Sequence, residues 1–177
     1  MDKGIIVCGL NGCGKSTLGR ALAQELGFVF LDNEDLYFKR TEDSAPYTDP
    51  CTRQEAEARL RELLNGCGPF VFATVRGDYG HEILERTQYA VYIEVPAQIR
   101  RQRLRSRSFA KFGNRMLPGG DLHEAEERFF SKAASRTDAY VEDWLRSLDC
   151  PVIRVDGTRA VEENVSYLVS KLNGETP

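Results

Sequence analysis

Several features that would assign this sequence to other classes of protein are missing from it. It contains no C-x-x-C pair, and its five cysteines are an odd number. This argues against a disulfide framework or a zinc site, and it predicts free thiols in a reducing compartment. No apolar run approaches the roughly 18 residues that a membrane span requires, and the first residues lack a charged and then apolar signal pattern. We therefore expect a cytoplasmic protein with no membrane partner.

Two signatures of GTPase switches are also missing. Neither D-x-x-G nor N-K-x-D occurs in the chain, which disfavours a switch whose loops are ordered by a γ-phosphate. The two histidines, His81 and His123, are isolated, so we expect structural or exposed roles for them. There is no internal repeat, linker or low-complexity segment. A chain of 177 residues with 41% apolar content predicts one globular domain over residues 1–177, as a monomer or a homodimer.

The strongest motif that the chain does contain lies near its start. Residues 9–17 fit the pattern G-x-x-x-x-G-K-[ST] at every fixed position. A short apolar run precedes them, and leucines at helical spacing follow. A strand that turns through glycines into a helix aims several backbone N–H groups at one point, where the helix dipole adds positive charge. The motif predicts a nucleoside triphosphate site formed by Gly9, Asn11, Gly12, Cys13, Gly14, Lys15, Ser16 and Thr17.

Three side chains of this motif carry separate expectations. Lys15 can reach the outer phosphates, and the Ser16 hydroxyl can bind Mg²⁺. Cys13 has two interpretations, a redox role or a small residue that merely fits the loop, and we favour the second.

Five short apolar runs alternate with helical segments along the chain, at residues 4–8, 28–32, 70–74, 89–93 and 151–155. This alternation predicts an α/β fold with a five-stranded parallel sheet covered by helices on both faces. Ligands of such sheets bind at the carboxyl ends of the strands. We therefore expect the phosphate loop, residues 32–35, residues 76–78 and residues 156–158 to border one cleft.

The polar residues after these strands supply candidates for metal and acceptor binding. Asp32 and Asp156 each end a strand, and Mg²⁺ is usually held by one or two carboxylates with phosphates and water. We select Asp32 as the metal ligand beside Ser16, with Glu34 in reach of an acceptor. The alternative is that both aspartates only begin helices, where the helix dipole favours acids.

The turn after the third strand offers a second pair of candidates, Arg76 and Asp78. Arg76 can clamp an acidic acceptor, and Asp78 competes with Asp32 as the base for an acceptor hydroxyl. The alternative is that both are ordinary turn residues.

Positive charge is concentrated between Arg100 and Arg115, which contains seven basic residues and no acid, while the rest of the chain has a balance of −10. We predict a basic helix over residues 97–107 and an irregular lid over about residues 108–120, with Arg107 and Arg115 placed over the triphosphate. A nucleic-acid patch is the alternative, and we disfavour it because the stretch adjoins the nucleotide cleft. Arg100, Arg101 and Arg103 can also be plain solvated surface.

A long amphipathic helix is predicted behind the lid. Asp121 and Glu124 resemble a capping box at its start, and a break near Ser135 is an open alternative.

With these residues identified, the chain resembles the small phosphate-loop kinases of the nucleoside-monophosphate-kinase class, nearest the shikimate and gluconate kinase branch. The resemblance is strongest over residues 5–41, where Phe30-Leu31-Asp32-Asn33-Glu34 follows the shikimate-kinase order. It continues more loosely to Val155-Asp156-Gly157-Thr158, where these kinases hold the adenine. Shikimate kinases have a glycine triplet after strand three, which this chain replaces with Val75-Arg76-Gly77-Asp78.

The resemblance implies a three-layer P-loop NTPase fold with strand order 2-3-1-4-5, a basic lid, and Mg-ATP as the nucleotide. It implies that Asp156, Gly157 and Thr158 bind the nucleotide, that an acid such as Asp32 lies near the metal and the acceptor, and that Glu34 contacts the substrate.

The sequence thus predicts an ATP-dependent phosphotransferase that acts on a hydroxyl or phosphate of a small-molecule acceptor. Its expected catalytic residues are Lys15, Asp32, Arg107 and Arg115, and its expected acceptor-binding residues are Asp32, Glu34, Arg76 and Asp78. Two alternatives stay open, an ATPase or switch module that acts on a protein, and a 5′-hydroxyl nucleic-acid kinase that uses the basic stretch.

Overall fold

The computed structural model describes residues 4–37 and 51–174. Its five strands are β1 (Gly4–Cys8), β2 (Val29–Asp32), β3 (Phe70–Thr74), β4 (Thr87–Glu94) and β5 (Val152–Asp156). They form one sheet in the order β2-β3-β1-β4-β5, and every neighbouring pair is parallel. The predicted fold class and strand order are confirmed.

The inner strands of this sheet are shielded from solvent. Every residue of β1 and β3 is buried, as expected for parallel strands covered on both faces. The register pairs Cys8 with Thr74 on one side and with Tyr92 on the other. The carboxyl ends of the central strands therefore meet at one edge of the sheet.

Eight helices and one 3₁₀ turn surround the sheet in the described residues. They are α1 (Lys15–Leu26), α2 (Asn33–Tyr37), α3 (Arg53–Gly66), α4 (His81–Arg86), α5 (Ala97–Phe112), the 3₁₀ turn (Gly113–Met116), α6 (His123–Ser135), α7 (Asp138–Leu145) and α8 (Val161–Leu172). Helices α2, α3, α4 and α7 contribute to the apolar core on one face of the sheet. Helices α1 and α8 contribute to the core on the other face, where Leu22 and Leu168 are fully buried.

A third, smaller apolar cluster lies beside the sheet. Leu104 of α5, Met116 of the 3₁₀ turn, and Phe130 and Ala133 of α6 form it. Phe112 is partly buried against them. Helices α5 and α6 therefore form a unit that is held together by its own contacts and that flanks the carboxyl edge of the sheet.

This cluster explains why the basic helix is longer than predicted. The predicted helix ends near residue 107, whereas α5 continues to Phe112 and is followed by the 3₁₀ turn. Leu104, Ser108 and Phe112 are spaced four residues apart and face α6. Helix-breaking residues begin only at Gly113, whose φ is 55°. The predicted irregular stretch therefore begins five residues too early.

The start of α6 also differs from the prediction. Its N-cap is Leu122, and no side chain caps it. The expected capping box of Asp121 and Glu124 is wrong, because Asp121 accepts hydrogen bonds from Arg115 instead. The break near Ser135 is confirmed, since α6 ends there and α7 begins at Asp138. Residues 41–50, whose two prolines and polar residues predict a loop, lie outside the described residues.

Among residues 4–37 and 51–174, no helix combines the length and the apolar composition that crossing a bilayer requires.

Candidate active site

The phosphate loop joins β1 to α1, as the motif predicts. Its glycines are needed for conformation and for space. Gly12 and Gly14 have φ angles of 84° and 99°, which disfavour any residue with a side chain. A Cβ on Gly12 would also lie 2.5 Å from the carbonyl oxygen of Arg100. The loop is therefore packed tightly against the start of α5.

The amino end of α1 has the properties of an anion site. Its N-cap is Gly14, and no side chain accepts a hydrogen bond from the first turn. The first N–H groups of a helix have no partner within the helix and carry the positive end of its dipole. Lys15 adds a full charge here, and its Nζ donates to the carbonyl oxygen of Leu10 at 3.2 Å. The loop and helix thus offer backbone donors and one ammonium group to the same point.

A pocket of about 650 Å³ opens in front of this loop. Its walls are the loop, the ends of β2 and β3, one face of α5 and one face of α6. Its volume lies within the range of small-molecule sites in proteins, about 300–1,000 Å³. The lining includes the predicted residues Asn11, Gly12, Gly14, Lys15, Ser16, Thr17, Asp32, Glu34 and Arg107. Residues from five separate segments of the chain therefore converge here.

Two of the predicted acids lie on the far side of this pocket from α5. The carboxylate of Asp32 accepts a hydrogen bond from the backbone N–H of Glu34 at 3.0 Å, which orients it at the start of α2. The carboxylate of Glu34 lies 3.9 Å from a guanidinium nitrogen of Arg107. Arg107 therefore reaches from α5 across the pocket to α2.

The oxygen donors of Ser16 and Asp32 fit a hard cation. Both residues line the large pocket, and Mg²⁺ prefers oxygen ligands, with phosphates and water completing its shell. In the described part of the chain, no three His, Cys, Asp or Glu side chains group as a complete metal site. A cation at this position would therefore depend on phosphate oxygens as well as on the protein.

A second pocket, of about 200 Å³, adjoins the other side of the loop. Cys13, Arg103, Gly157 and Asn164 are among its lining residues. A guanidinium nitrogen of Arg103 donates to the carbonyl oxygen of Gly157 at 3.0 Å. Gly157 packs so closely that an added Cβ would lie 3.0 Å from the carbonyl oxygen of Cys13. The end of β5 and the phosphate loop therefore form one continuous surface.

Asp156 and Thr158 shape the turn beside this second pocket and are absent from its lining. The Asp156 carboxylate accepts hydrogen bonds from the Thr158 hydroxyl at 2.6 Å and from its backbone N–H at 2.8 Å. These bonds, the hydroxyl first, lower the pKa of Asp156. The turn is therefore held by its own side chains.

Six predicted site residues lie outside the walls of both pockets: Gly9, Arg76, Asp78, Arg115, Asp156 and Thr158. Arg115 forms a two-pronged pair with Asp121, with nitrogen–oxygen distances of 3.0 and 2.6 Å. This pairing raises the pKa of Arg115 and lowers that of Asp121. Arg76 pairs with Asp78 at 3.0 Å, and its guanidinium lies 4.6 Å from the centre of the Tyr140 ring.

Two of the three arginines near the start of α5 are buried or line a pocket, unlike the side chains of a solvated surface. Arg100 is 8% exposed, and its Nε donates to the carbonyl oxygen of Val95 at 3.0 Å. Arg103 lines both pockets. Arg101 is exposed, and it belongs to the wall of neither pocket. Of the three arginines given a surface interpretation, only Arg101 fits it.

Three further cations, two on α6 and one just after it, were not among the predicted site residues. Arg128, Lys132 and Arg136 all line the large pocket. Arg136 donates to the side-chain oxygen of Asn11 at 2.9 Å, so it reaches the phosphate loop itself. Residues four apart share one side of a helix, and this spacing was visible in the sequence. The apolar positions of α6 are enough to predict a helix, so the spacing of these cations adds nothing to the prediction of secondary structure.

The chain is similar in sequence to several known proteins. Residues 5–115 match the AAA_18 family, described as an AAA domain. A shikimate kinase of Halorhodospira halophila is 33% identical over 147 residues, which cover 78% of each chain. The uncharacterized protein YqaC of Bacillus subtilis is 28% identical over 185 residues, which cover 98% of this chain and 99% of YqaC.

Two solved structures show the same fold over nearly the whole chain. The match to a gluconokinase from Sinorhizobium meliloti has a TM-score of 0.56 at 18% identity. It covers 99% of this chain and 98% of the gluconokinase chain. A shikimate kinase from Acinetobacter baumannii in complex with shikimate has a TM-score of 0.56 at 18% identity, with 99% and 95% covered. The chain therefore belongs to the AAA_18 family and is a P-loop kinase near the shikimate and gluconate kinase branch.

Proposed function

We propose that the protein transfers the γ-phosphoryl group of Mg-ATP to a hydroxyl or phosphate of a small-molecule acceptor. The observation that carries the proposal is the large pocket, which has the phosphate loop on one side and Asp32 and Glu34 on another. A donor phosphate on the loop and an acceptor beside these acids would share one cavity of about 650 Å³. Direct transfer requires this proximity, because the two reactants must meet in line.

The nucleotide half of the site uses the loop and the second pocket. The backbone of residues 9–17 receives the phosphates, and Lys15 neutralises charge on the β- and γ-phosphates. The base enters the pocket of about 200 Å³ beside Arg103, Gly157 and Asn164. Asp156 and Thr158 hold the turn that shapes this pocket.

The chemical half of the site uses three side chains of the large pocket. Ser16 and Asp32 would hold Mg²⁺, which when bound would neutralise phosphate charge. The acceptor oxygen bonds to the γ-phosphorus while the bond from that phosphorus to the bridging oxygen breaks. ADP leaves with the electron pair, and the acceptor proton passes to Asp32. Arg107 stabilises the charge that spreads over the transferred group.

The remaining predicted residues belong to a mobile lid or bind the acceptor. We assign residues 108–120 to a lid of a single domain, and its closure would bring Arg115 from its pair with Asp121 toward the phosphates. Glu34 contacts acceptor hydroxyl groups. Arg76 and Asp78 stay second candidates for the acceptor, and Asp32 is the preferred base because it already lines the pocket.

The cations of α5 and of the 3₁₀ turn support a kinase over a nucleic-acid-binding protein. Arg105 pairs with Glu127 at 2.8 Å, Arg107 faces Glu34 and Arg115 pairs with Asp121. These guanidinium groups are engaged within the protein, and so are those of Arg100 and Arg103. A nucleic-acid patch would instead present its cations to phosphates in solvent.

The test is an assay of ADP release over a panel of nucleosides, nucleotides, sugar acids and shikimate-like acids, each with and without Mg²⁺. We expect at least one acceptor to raise ADP release well above the acceptor-free rate, with product carrying the phosphoryl group and with no activity after Mg²⁺ removal. Hydrolysis that no acceptor stimulates would contradict the proposal and would favour an ATPase module.

A further inference from the structure

The large pocket has a strip of cations that the proposed mechanism does not use. We call Arg128, Lys132 and Arg136 the basic wall. The three residues follow one another at intervals of four, two on α6 and one just after it, and all line the pocket. Arg128 and Lys132 are exposed, and Arg136 is half-buried. Helix α6 and the residue that follows it therefore present three positive charges to one cavity.

The acids of the pocket leave this charge uncompensated. Three carboxylates line the cavity, those of Asp32, Glu34 and Glu126. Glu34 faces Arg107, and the buried Glu126 accepts a hydrogen bond from the Ser108 hydroxyl. Among the described residues, no ion pair joins any of the three to the basic wall.

The contacts of the wall itself are weak or neutral. Arg128 lies 3.6 Å from Glu124, one helical turn away, and both side chains are mostly exposed. Such surface pairs contribute little and exchange readily. Arg136 donates to the neutral side chain of Asn11 and lies 5.7 Å from the centre of the Tyr140 ring. These cations can therefore turn to a ligand without breaking a strong pair.

The triphosphate does not need these cations. The phosphate loop and Lys15 already offer it backbone donors and one ammonium group, and Arg103 and Arg107 of α5 line the same pocket as the loop. The basic wall comes from a different helix, α6, and apolar Ala125, Phe129 and Ala133 interrupt it along the pocket. Its surroundings suit a ligand with a charged end and a less polar body.

We propose, as an extension that rests on the proposed function, that the acceptor carries a phosphomonoester dianion and that Arg128 and Lys132 receive it. Arginine matches phosphate oxygens with paired donors, and lysine adds a point charge. A monocarboxylate would satisfy one of these cations and leave the others unmatched. The phosphomonoester is the recognised group, and the acceptor oxygen that reacts lies beside Asp32. The acceptor class thus differs from the unphosphorylated acids that name the structural neighbours.

The experiment measures binding to matched ligand pairs that differ only in a phosphate ester. The protein is first saturated with Mg²⁺ and a non-hydrolysable ATP analogue, so that the phosphate loop and the second pocket are filled and the acceptor part of the large pocket stays open. Calorimetry then compares ribose with ribose 5-phosphate, gluconate with 6-phosphogluconate, shikimate with shikimate 3-phosphate, and cytidine with cytidine monophosphate. The variants are Arg128→Gln/Lys132→Gln and the matched control Arg101→Gln, which removes an exposed arginine outside both pockets.

We expect the phosphorylated member of at least one pair to bind at least about tenfold more tightly than its parent, and tenfold corresponds to about 1.4 kcal/mol. The double variant should lose this preference, and Arg101→Gln should keep it. Equal or weaker binding of the phosphorylated member in every pair would overturn the inference. So would a preference that survives in the double variant.

The same ligands with ATP separate this inference from the proposed function. Phosphorylation of parent compounds alone would keep the kinase and overturn the phosphomonoester. Binding that depends on the basic wall, with no transfer to any ligand, would keep the anion site and contradict the kinase.

Discussion

The two sides of the large pocket are built in different ways. On the phosphate-loop side, the groups that face the ligand are mainly backbone amides, fixed by β1, by α1 and by glycines with positive φ. On the α5–α6 side, they are long cationic side chains, held by a small apolar cluster and by exposed ion pairs. Backbone groups keep their positions at no rotamer cost, whereas each ordered arginine or lysine loses up to about 2 kcal/mol of side-chain freedom.

The two sides of the pocket suit different parts of a kinase's substrates. A rigid backbone cup suits a part of the substrate that never changes, the polyphosphate. Exposed side chains on a separate helical unit suit a ligand whose shape differs among related enzymes and a surface that must open for release. Mutations should therefore have large, uniform effects on the loop side and smaller, ligand-dependent effects on the α5–α6 side.

The largest expected effect is that of Lys15→Ala. Removing the only full charge of the loop should lower kcat by about 10²–10³-fold, as for loss of one donor to a developing charge. Stability should be unchanged, because among the described residues the hydrogen bond of the Lys15 side chain goes to a carbonyl of its own loop. Steady-state ADP release and thermal unfolding measure the two quantities. Wild-type turnover in this variant would refute the role of Lys15.

Gly12→Ala tests whether the loop depends on backbone geometry. The new Cβ would meet the carbonyl oxygen of Arg100 at a φ of 84°, so we expect nucleotide affinity to fall at least about tenfold and stability to fall by about 1–3 kcal/mol. Gly27→Ala is the matched control, since its φ is 67° and its Cβ would enter open space. It should lower stability without changing nucleotide affinity. Equal nucleotide affinities in the two variants would contradict the packing argument.

The same contrast explains what the sequence could reveal. The loop and the strand ends are local patterns, so residues 9–17 and Asp32 were assigned to the site from spacing alone. The α5–α6 side depends on contacts between distant segments, such as Arg136 with Asn11 and Ser108 with Glu126. No local rule relates residues 125 positions apart in the chain. Arg115 shows the same limit, because Asp121 was interpreted as a helix cap when it is its ion-pair partner.

Arg107→Gln tests the side-chain half of the pocket. Arg107 is exposed and lies 3.9 Å from Glu34, so it must lose freedom before it can stabilise the transferred group. We expect kcat to fall by about tenfold, less than for Lys15→Ala, with little change in nucleotide affinity. Arg101→Gln removes an equal charge from the same helix outside the pockets, and it should leave kcat unchanged. A matching decrease in both variants would indicate a general field effect.

The smallest effect belongs to a region remote from both sides, where Arg154 of β5 contacts Glu142 of α7 at 2.7 Å. The hydrogen bond from Arg154 lowers the pKa of Glu142. A lowered pKa means that this contribution to stability is complete above the unfolded pKa of about 4.5 and is lost as pH falls through the folded value. Glu142→Gln should therefore cost about 0.5–1 kcal/mol at pH 7, and this cost should shrink as the pH falls below about 4.5 and through the lowered folded pKa. Urea unfolding at pH 7 and at a series of lower pH values measures this cost. Because the pair touches neither pocket, kinase activity at pH 7 should match that of the wild type, and a loss of activity would mean that the sheet edge is coupled to the site.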